Sequence, residues 1–297
     1  MSDFSPAVRT SAIWSGDARK LAEGRAVEFY LTKIGEREIE DISDKEPVQW
    51  GLHLQDTIGR VAGDRMGLRL KAADYSLQHP KHEWMRSHFD FISEDGTHLV
   101  EVKNYSAGSR SKFGDNGSQE VPEADFAQCL HEATVHRVEK VTLAVLFGGQ
   151  ELCLYPLSFT DASKDVLIQQ EADLWARIQT KEPPDPQSAD DARALYRQDD
   201  GSSKIAPDVL AASVERLRGV KAAIKRLETE EDTIIKNICL YMKDASVLKS
   251  SDGRQLVTWK KAADSNRFDV TKFKEQMPKV YEQYLTVSPG SRRLLVK

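Results

Sequence analysis

Hydrophobic and polar positions in the first 180 residues alternate in patterns that predict both helices and strands. Hydrophobic residues recur at helical spacing in four segments: 17–35, 44–67, 124–138 and 163–179. Runs rich in β-branched and aromatic residues predict strands in three segments: near 68–76, at 88–103 and at 141–157. Residues 104–120 are rich in Gly, Ser and Asn, which predicts a loop. This order predicts an α/β fold, more closely an α+β mixed sheet flanked by helices.

A change of pattern near residue 183 predicts a second domain. Prolines and acidic residues in KEPPDPQSADD indicate a linker, placed at 184–206 between a first domain at 1–183 and an extension at 207–297. The extension is predicted to be mainly helical with one β-hairpin. A heptad-like pattern over 208–243 favours a helical hairpin or a short coiled coil. After this segment the sequence predicts a hairpin at 247–262, a helix at 270–284 and a strand at 292–297.

The hairpin within HFDFISEDGTHLVEVKNYS, residues 88–106, brings charged residues together. Asp95-Gly96 predicts a two-residue type I′ turn, which places Asp90 opposite Glu101. Because strand side chains alternate with period two, the hairpin has two faces. Four residues are predicted to point towards a core: Phe89, Phe91, Val100 and Val102. Four others share the opposite face: His88, Asp90, Glu101 and Lys103.

The predicted pairing of Asp90 with Glu101 needs a compensating charge. Two carboxylates about 5 Å apart repel by roughly 3 kcal/mol at an effective dielectric constant of about 20. A divalent cation would turn this repulsion into attraction, and Mg²⁺ prefers carboxylate and carbonyl oxygens together with water. The alternative is a solvent-exposed strand face on which Lys103 neutralises Glu101 diagonally. The residues alone leave both interpretations open.

Composition narrows the class of protein. The chain has 297 residues, of which 40% are hydrophobic and 30% charged, so it can bury a core and remain soluble. It lacks an apolar run of the roughly 20 residues that cross a bilayer, and its first residues do not resemble a signal peptide. Three cysteines, at 129, 153 and 239, form neither a zinc pattern nor a disulfide framework. We therefore expect a cytoplasmic protein without a membrane partner.

The net charge of −5 is unevenly distributed. Residues 241–297 contain 12 Lys and Arg against 6 Asp and Glu, a net charge of +6, which leaves −11 for residues 1–240. A basic C-terminal segment on an acidic body is compatible with binding to phosphate groups. It is equally compatible with an ordinary biased surface.

Several stretches, taken together, resemble one family of nucleases. An Asp followed about ten residues later by E-x-K, here VEVK at 100–103, is the pattern of the PD-(D/E)xK nucleases. The stretch 29–58, with Trp50-Gly51 and Leu54, is similar to the lambda exonuclease / YqaJ-like viral recombinase family. Further similar stretches are VPEADFAQCLHEATV, VTLAVLFGGQELCLYPL and LWARIQTKEPPDP. The resemblance covers about residues 12–186. A second resemblance, to the C-terminal region of many YqaJ-type phage proteins, covers residues 258–284 and the closing SRRLLVK.

This resemblance implies a fold, an activity and partners. The fold would be a PD-(D/E)xK, restriction-endonuclease-like core flanked by helices. The activity would be that of an alkaline exonuclease, a Mg²⁺-dependent hydrolase that degrades one strand of linear double-stranded DNA from 5′ to 3′, with Mn²⁺ able to substitute. Expected partners are duplex DNA ends and a single-strand annealing protein that uses the product in phage-type recombination. Some relatives form a trimeric ring, so a homo-oligomer is also implied.

The resemblance also implies roles for individual residues. Asp90, Glu101 and the backbone carbonyl of Val102 would bind Mg²⁺. Lys103 would orient or help to deprotonate the attacking water and offset charge on the phosphate. Gln128 matches a glutamine of the family and would hydrogen-bond the water or the lysine. Its alternative interpretation is an ordinary glutamine on a helix surface.

The sequence departs from the family pattern at Gln55. The family usually has an acidic residue at this position as a further metal ligand, and a glutamine can coordinate through its carbonyl but adds no charge. Asp56 is adjacent but about 100° away around a helix. Glu28 on another helix is a possible substitute. Metal affinity, metal number and activity are therefore in question.

Five residues are candidates for contacts with DNA. Arg9, Ser15 and Arg19 lie in a region that resembles the part of the family that holds a 5′-phosphate. Arg110 and Lys112, in the predicted loop, could reach the DNA backbone. Their alternative interpretations are a helix cap and ordinary surface charges.

Two rival functions remain open from the sequence. An endonuclease with the same fold and metal chemistry would cut internally and would therefore also cut a closed circle. A catalytically weak DNA-binding or scaffold protein, impaired at Gln55, is the rival from a different class. The presence of Asp90, Glu101, Lys103 and Gln128 argues against the second rival.

Overall fold

The structure is a computed structural model, and it describes residues 6–73, 75–288 and 290–296. The chain divides into two compact units, residues 1–196 and 197–297. No helix within the described ranges is long and apolar enough to cross a membrane.

The first unit contains seven helices and eight strands within its described residues. The helices are α1 (Pro6–Thr10), α2 (Ser15–Ala22), α3 (Ala26–Lys33), α4 (Glu46–Met66), α5 (Glu123–His136), α6 (Asp161–Thr180) and α7 (Ala189–Leu195). The strands are β1 (Ile13–Trp14), β2 (Leu70–Ala72), β3 (Leu77–Gln78), β4 (Met85–Ser87), β5 (Phe91–Ser93), β6 (His98–Tyr105), β7 (Lys140–Phe147) and β8 (Glu151–Ser158). Most elements lie where the sequence predicts them.

Two boundaries in the first unit differ from the sequence prediction. The helix predicted over 17–35 is two helices, α2 and α3, because Gly24 takes a left-handed φ of 75° between them. Within the segment predicted as a linker, residues 189–195 form α7, and Ala194 and Leu195 pack against the buried cluster of α3.

A five-stranded mixed sheet is the centre of the first unit. Its strand order is β2-β5-β6-β7-β8, in which β6 and β7 are parallel and the other pairs are antiparallel. A parallel pair needs a long crossover, and α5 lies in the connection between β6 and β7. A smaller sheet joins β1, β4 and β3. This α/β arrangement agrees with the mixed sheet expected from the sequence.

Helices cover both faces of the central sheet. On one face, Ile58 and Ala62 of α4 pack against Val100 and neighbouring residues. On the other face, Cys129 and Ala133 of α5 belong to a cluster with Leu99, Leu143 and Phe89. The prediction of a single core face is therefore wrong: Phe91 lies in the α4 cluster and Phe89 in the α5 cluster. Since neither face is open to solvent, Glu101 is buried and Asp90 and Lys103 are half-buried, whereas Glu94 and Asp95 at the turn are exposed.

The predicted hairpin register is confirmed, but the turn type is not. Phe91 pairs with Val100 and Ile92 with Leu99, which is the register that sets Asp90 opposite Glu101. A type I′ turn needs positive φ at both central residues, and here Gly96 has a φ of 74° whereas Asp95 does not. The Asp95 carboxylate instead closes the turn by accepting hydrogen bonds from Ser93 and Thr97.

The second unit contains one long helix, a hairpin and two short helices among its described residues. They are α8 (Asp208–Met242), β9 (Val247–Lys249), β10 (Gln255–Thr258), α9 (Val270–Gln276) and α10 (Pro278–Gln283). Because α8 is continuous, the helical-hairpin alternative is wrong. The helix predicted over 270–284 is interrupted before Pro278, which lacks the N–H that continues a helix.

The strand predicted at 292–297 is not observed over 292–296, and Lys297 lies outside the described residues. Leu294 and Leu295 are each 74% exposed. A strand is stabilised by pairing with a neighbour and by burial of one face, and this segment has neither in the described part of the unit.

Two glycines let α4 approach the central sheet closely. A Cβ atom at Gly59 would lie 2.2 Å from Cε2 of Phe91, and one at Gly63 would lie 2.9 Å from the carbonyl oxygen of Leu68. The bare backbone at Gly59 therefore leaves room for the Phe91 ring. Gln55, one turn earlier on α4, is brought to the end of β5 by this contact.

We predict that Gly59→Ala lowers the free energy of unfolding by about 1–3 kcal/mol, because the added methyl group forces α4 away from Phe91. Chemical denaturation measures the change. Gly51→Ala is the matched control on the same helix, since its Cβ would meet nothing within 4 Å. That control should leave stability equal or raise it by up to about 1 kcal/mol. Equal effects of the two substitutions would contradict the prediction.

Candidate functional site

Asp90 occupies the residue immediately before β5 and is held by two donors. Its Oδ2 accepts the backbone N–H of Val102 at 2.8 Å, and its Oδ1 accepts Nε2 of Gln55 at 2.7 Å. The first contact joins it to β6 and the second to α4. The carboxylate is therefore fixed between the strand that carries E-x-K and the helix that carries Gln55.

Glu101 lies in the middle of β6 and is 4% exposed. Its Oε1 accepts Nζ of Lys103 at 2.6 Å and Nε2 of Gln128 at 2.5 Å. Gln128 is itself buried, so it is not an ordinary glutamine on a helix surface. The structure thus brings together, on two elements, three of the residues that the sequence predicts as catalytic.

Burial and mutual repulsion perturb the ionisation of this group. Burial, followed by the nearby Glu101 carboxylate, raises the pKa of Asp90 well above its ordinary value. Burial alone would lower the pKa of Lys103, but the carboxylates of Glu101 and Asp90 outweigh it, and the pKa is raised. Lys103 therefore stays protonated. One ammonium against two carboxylates leaves the cluster with an excess of negative charge when both acids are ionised.

The residues present fit a magnesium ion better than a transition metal. Among the described residues no group of three His, Cys, Asp or Glu side chains could hold a metal ion, so a binding site made from such side chains alone is absent there. Mg²⁺ is commonly held by one or two carboxylates, with waters completing its octahedron. Asp90 and Glu101 supply such a pair, Gln55 an amide oxygen on rotation, and Val102 a backbone carbonyl beside Asp90.

Comparisons with known proteins find one matching family model. Residues 7–139 match the family model described as the YqaJ-like viral recombinase domain. The matched residues include Gln55, Asp90, Glu101, Lys103 and Gln128.

A curated relative and several solved structures are also similar. The "Uncharacterized protein YqaJ" of Bacillus subtilis (strain 168) is 26% identical over 264 residues, which cover 86% of this chain and 81% of the relative. Because unit 1 ends at residue 196, this similarity extends into the second unit.

Two solved exonuclease structures match part of this chain at low sequence identity. An alkaline exonuclease, LHK-Exo, from Laribacter hongkongensis is 10% identical over 59% of this chain and 92% of its own, with a TM-score of 0.46. A phage related exonuclease from Haemophilus somnus 129PT is 12% identical over 56% and 81%, with a TM-score of 0.41.

The acidic residues considered as substitutes for Gln55 lie elsewhere in the first unit. Asp56 is exposed on α4, whereas Gln55 is half-buried against Asp90. Glu28 is engaged by Arg25, with contacts of 2.6 and 3.1 Å, and lies 3.6 Å from Arg37. The amide of Gln55 is therefore the group that contacts Asp90 at the position where the resemblance implied an acid.

Two buried acids behind the site were not predicted from the sequence. Glu132, one turn after Gln128 on α5, accepts Nε2 of Gln128 at 3.0 Å and is fully buried. Burial and then the nearby Glu101 raise its pKa well above the ordinary value, so we expect it to be protonated. The i, i+4 spacing of Gln128 and Glu132 on a helix was the available signal. The Gln128 amide therefore donates hydrogen bonds to both Glu132 and Glu101, and Glu132 fixes its position.

The second missed acid, Asp125, connects one predicted DNA contact to the candidate site. Asp125 is 1% exposed and accepts hydrogen bonds from Arg19 and, at 2.7 Å, from the hydroxyl of Tyr105. Tyr105 follows Lys103 by two residues on β6 and contributes to its electrostatic surroundings. Arg19 is therefore fixed by α5 close to the strand end that carries Lys103. The Arg19 side chain as a whole is 29% exposed.

The other predicted DNA contacts have different surroundings. Arg9 lies 5.2 Å over the ring of Trp14, which stacks on His88 two residues before Asp90. Ser15 begins α2 and is buried. These two residues lie beside the strand that precedes the site, but no contact joins either side chain to Asp90 or Glu101 among the described interactions.

Arg110 and Lys112 lie in a short 3-10 helix, residues 107–112, where the sequence predicted an irregular loop. Arg110 donates to Glu151 at 3.0 Å and to the carbonyl oxygens of Phe113 and Gly114. These contacts fix the segment against β8, so Arg110 has a structural role in addition to any contact with DNA. Lys112 is exposed.

We predict that Gln55→Glu raises affinity for Mg²⁺ or Mn²⁺ by about tenfold or more and lowers the melting temperature of the metal-free protein. A third carboxylate strengthens a cation site but adds repulsion to the buried pair when no cation is bound. Differential scanning fluorimetry with increasing metal measures both effects, and nuclease activity should be equal or higher.

Gln49→Glu makes the same charge change on the same helix at an exposed position and serves as the control. It should leave metal affinity unchanged. A complete loss of nuclease activity in Gln55→Glu would contradict the prediction and would show that the amide has a specific role.

Proposed function

We propose that this protein is a metal-dependent deoxyribonuclease that digests linear double-stranded DNA from its ends. The observation that carries the proposal is the convergence of Asp90, Glu101 and Lys103, supported from behind by Gln128 and from α4 by Gln55. The match of residues 7–139 to a viral recombinase domain supports a role in DNA recombination.

The proposed cofactor is Mg²⁺, with Mn²⁺ as a substitute, held by Asp90, Glu101 and the carbonyl of Val102. Bound there, the cation would activate a water molecule and offset negative charge on the scissile phosphate. The remaining tasks belong to the side chains of the chain itself.

Lys103 positions the attacking water in this proposal. Its ammonium is fixed by Glu101 at 2.6 Å, and its side chain as a whole is 20% exposed. In this proposal the ammonium donates a further hydrogen bond to the water while remaining in place. Because it stays protonated, it acts by donation and by charge rather than as the base in its resting state. Gln128 and Glu132 fix the rotamer of Glu101 and thus the direction in which Lys103 points.

Arg19 is the strongest candidate for the contact with a terminal phosphate. Asp125 and Tyr105 hold its guanidinium close to the Lys103 end of β6 while part of it stays exposed. The planar guanidinium group of an arginine presents paired N–H donors that match the oxygens of a phosphate. We propose 5′→3′ polarity on this basis and on the family match, with the single strand passed to an annealing protein and with a homo-oligomer around the duplex.

We predict that linear 5′-phosphorylated duplex is degraded with Mg²⁺ whereas closed circular duplex is not. Lys103→Ala should reduce the rate by at least about 100-fold, because the water loses its positioned donor. Gel electrophoresis of both DNAs over time measures the outcome. Lys140→Ala, an exposed lysine on β7, is the matched control and should retain full activity.

Other outcomes would select a rival function. Cleavage of the closed circle would indicate an endonuclease with the same site. If neither DNA is cut with Mg²⁺ or Mn²⁺, although the protein binds duplex in a gel-shift assay, the chain is a DNA-binding protein impaired at Gln55.

A further inference from the structure

The long helix α8 carries a continuous apolar row that its own unit leaves uncovered. When Leu210 is assigned to heptad position a, the a and d positions alternate at steps of three and four residues through Tyr241. The row in order is Leu210, Ser213, Leu217, Val220, Ile224, Leu227, Glu231, Ile234, Ile238 and Tyr241. Eight of these ten residues are apolar, over more than four heptads, which is enough for a stable coiled coil.

Most of this row is exposed, and no element in the described part of the second unit covers it; Leu217 and Ile238 are half-buried. Val220, Ile224, Leu227 and Ile234 are 46%, 49%, 57% and 53% exposed, and Tyr241 is 78% exposed. Large apolar side chains in a contiguous row on one helix are costly to leave in water and indicate a binding surface. The pattern is that of a two-helix seam rather than of a helix packed on a sheet.

Charge along α8 identifies the orientation of the occupant. Residues 216–226 contain five basic side chains and no acidic ones: Arg216, Arg218, Lys221, Lys225 and Arg226. Residues 228–232 contain four acidic side chains and no basic ones: Glu228, Glu230, Glu231 and Asp232. One half of the helix is therefore electrostatically complementary to the other.

A second copy in parallel orientation would place like charges together. Glu231, at an a position, would face Glu231 of the other copy inside the seam, with the flanking acidic residues alongside. Buried like charges without compensation are strongly destabilising. In antiparallel orientation the acidic segment lies against the basic one, and Lys221 and Glu228 occupy facing e positions across the seam.

The antiparallel register follows from the same heptads. In an antiparallel pair an a residue of one copy faces a d residue of the other copy. Here the facing residues are those whose numbers add up to 451. Leu210 then faces Tyr241, Leu217 faces Ile234 and Ile224 faces Leu227, each pair formed twice by symmetry. Glu231 faces Val220, beside Lys221, where its charge is offset. A single polar residue at an a position is a known way to fix register in coiled coils.

We propose that α8 is a self-association surface on which two copies of this chain pair as an antiparallel coiled coil centred between residues 225 and 226. The pairing buries the apolar row in one twofold-symmetric interface and matches basic with acidic segments. It is independent of the nuclease site, and it is tested without DNA.

Disulfide trapping distinguishes the orientations in the full-length chain. In a Cys239→Ser background, Leu217→Cys together with Ile234→Cys should form a covalent dimer rapidly under mild oxidation. Each single cysteine variant should remain monomeric on a non-reducing gel, because in the antiparallel pair the two copies of residue 217 lie about 25 Å apart along the axis. The native Cys129 and Cys153 are buried and stay in place.

Light scattering after size-exclusion chromatography provides the second measurement. Ile224→Lys, which places a charge in the seam, should halve the mass of the native assembly. Ala222→Lys, on the outer face of the same turn, should leave the mass unchanged.

The proposal is overturned by any of three results. Rapid trapping of either single-cysteine variant would indicate a parallel pair. Absence of trapping in the double variant, or equal masses for Ile224→Lys and the native chain, would indicate that the row binds a different helix or the first unit. None of these results would alter the nuclease assay, so failure here is distinct from failure of the proposed function.

Discussion

Two acidic side chains held close together inside the protein are the constraint on which the site depends. Asp90 and Glu101 face each other across a hairpin that is covered by helices on both sides, and Lys103 alone offsets their charge. Repulsion between such groups grows as water is excluded, so the proposed cation would stabilise the ionised pair. The amides of Gln55 and Gln128 stabilise the pair without neutralising it.

The elements around the pair hold it in place from three directions. The glycine contact on α4 sets Gln55 against Asp90, the pairing of β5 with β6 sets Asp90 against the backbone of Val102, and α5 sets Gln128 against Glu101. The position of α5 is itself fixed by a buried hydrogen bond of 2.8 Å between Nδ1 of His131 and Oε1 of Glu171 on α6. These contacts fix the side chains of the pair before any ligand binds, which is the preorganisation that the proposed catalysis requires.

The sequence predicted the parts of this arrangement that depend on local pattern. Hairpin register, the α/β class and the residues of E-x-K follow from strand alternation and from one motif. It could not predict that helices cover both faces, because a buried face and an exposed face of a short strand look alike until its neighbours are known. For the same reason Glu132 and Asp125 were missed: each acts through a residue distant in sequence. The hairpin has the predicted register, but hydrogen bonds to the Asp95 side chain close its turn in place of the expected type I′ backbone conformation.

Isothermal titration of Mg²⁺ into the protein near pH 6, in two buffers of different ionisation enthalpy, tests the central claim most directly. The pKa of Asp90 is raised by burial and by Glu101, so metal binding at this carboxylate must displace its proton. We predict saturable binding with proton release that diminishes as the pH rises above the pKa of Asp90, and loss of both in Asp90→Asn. Undiminished binding in Asp90→Asn, or no binding by the native protein, would contradict the assignment of this pair as the metal site.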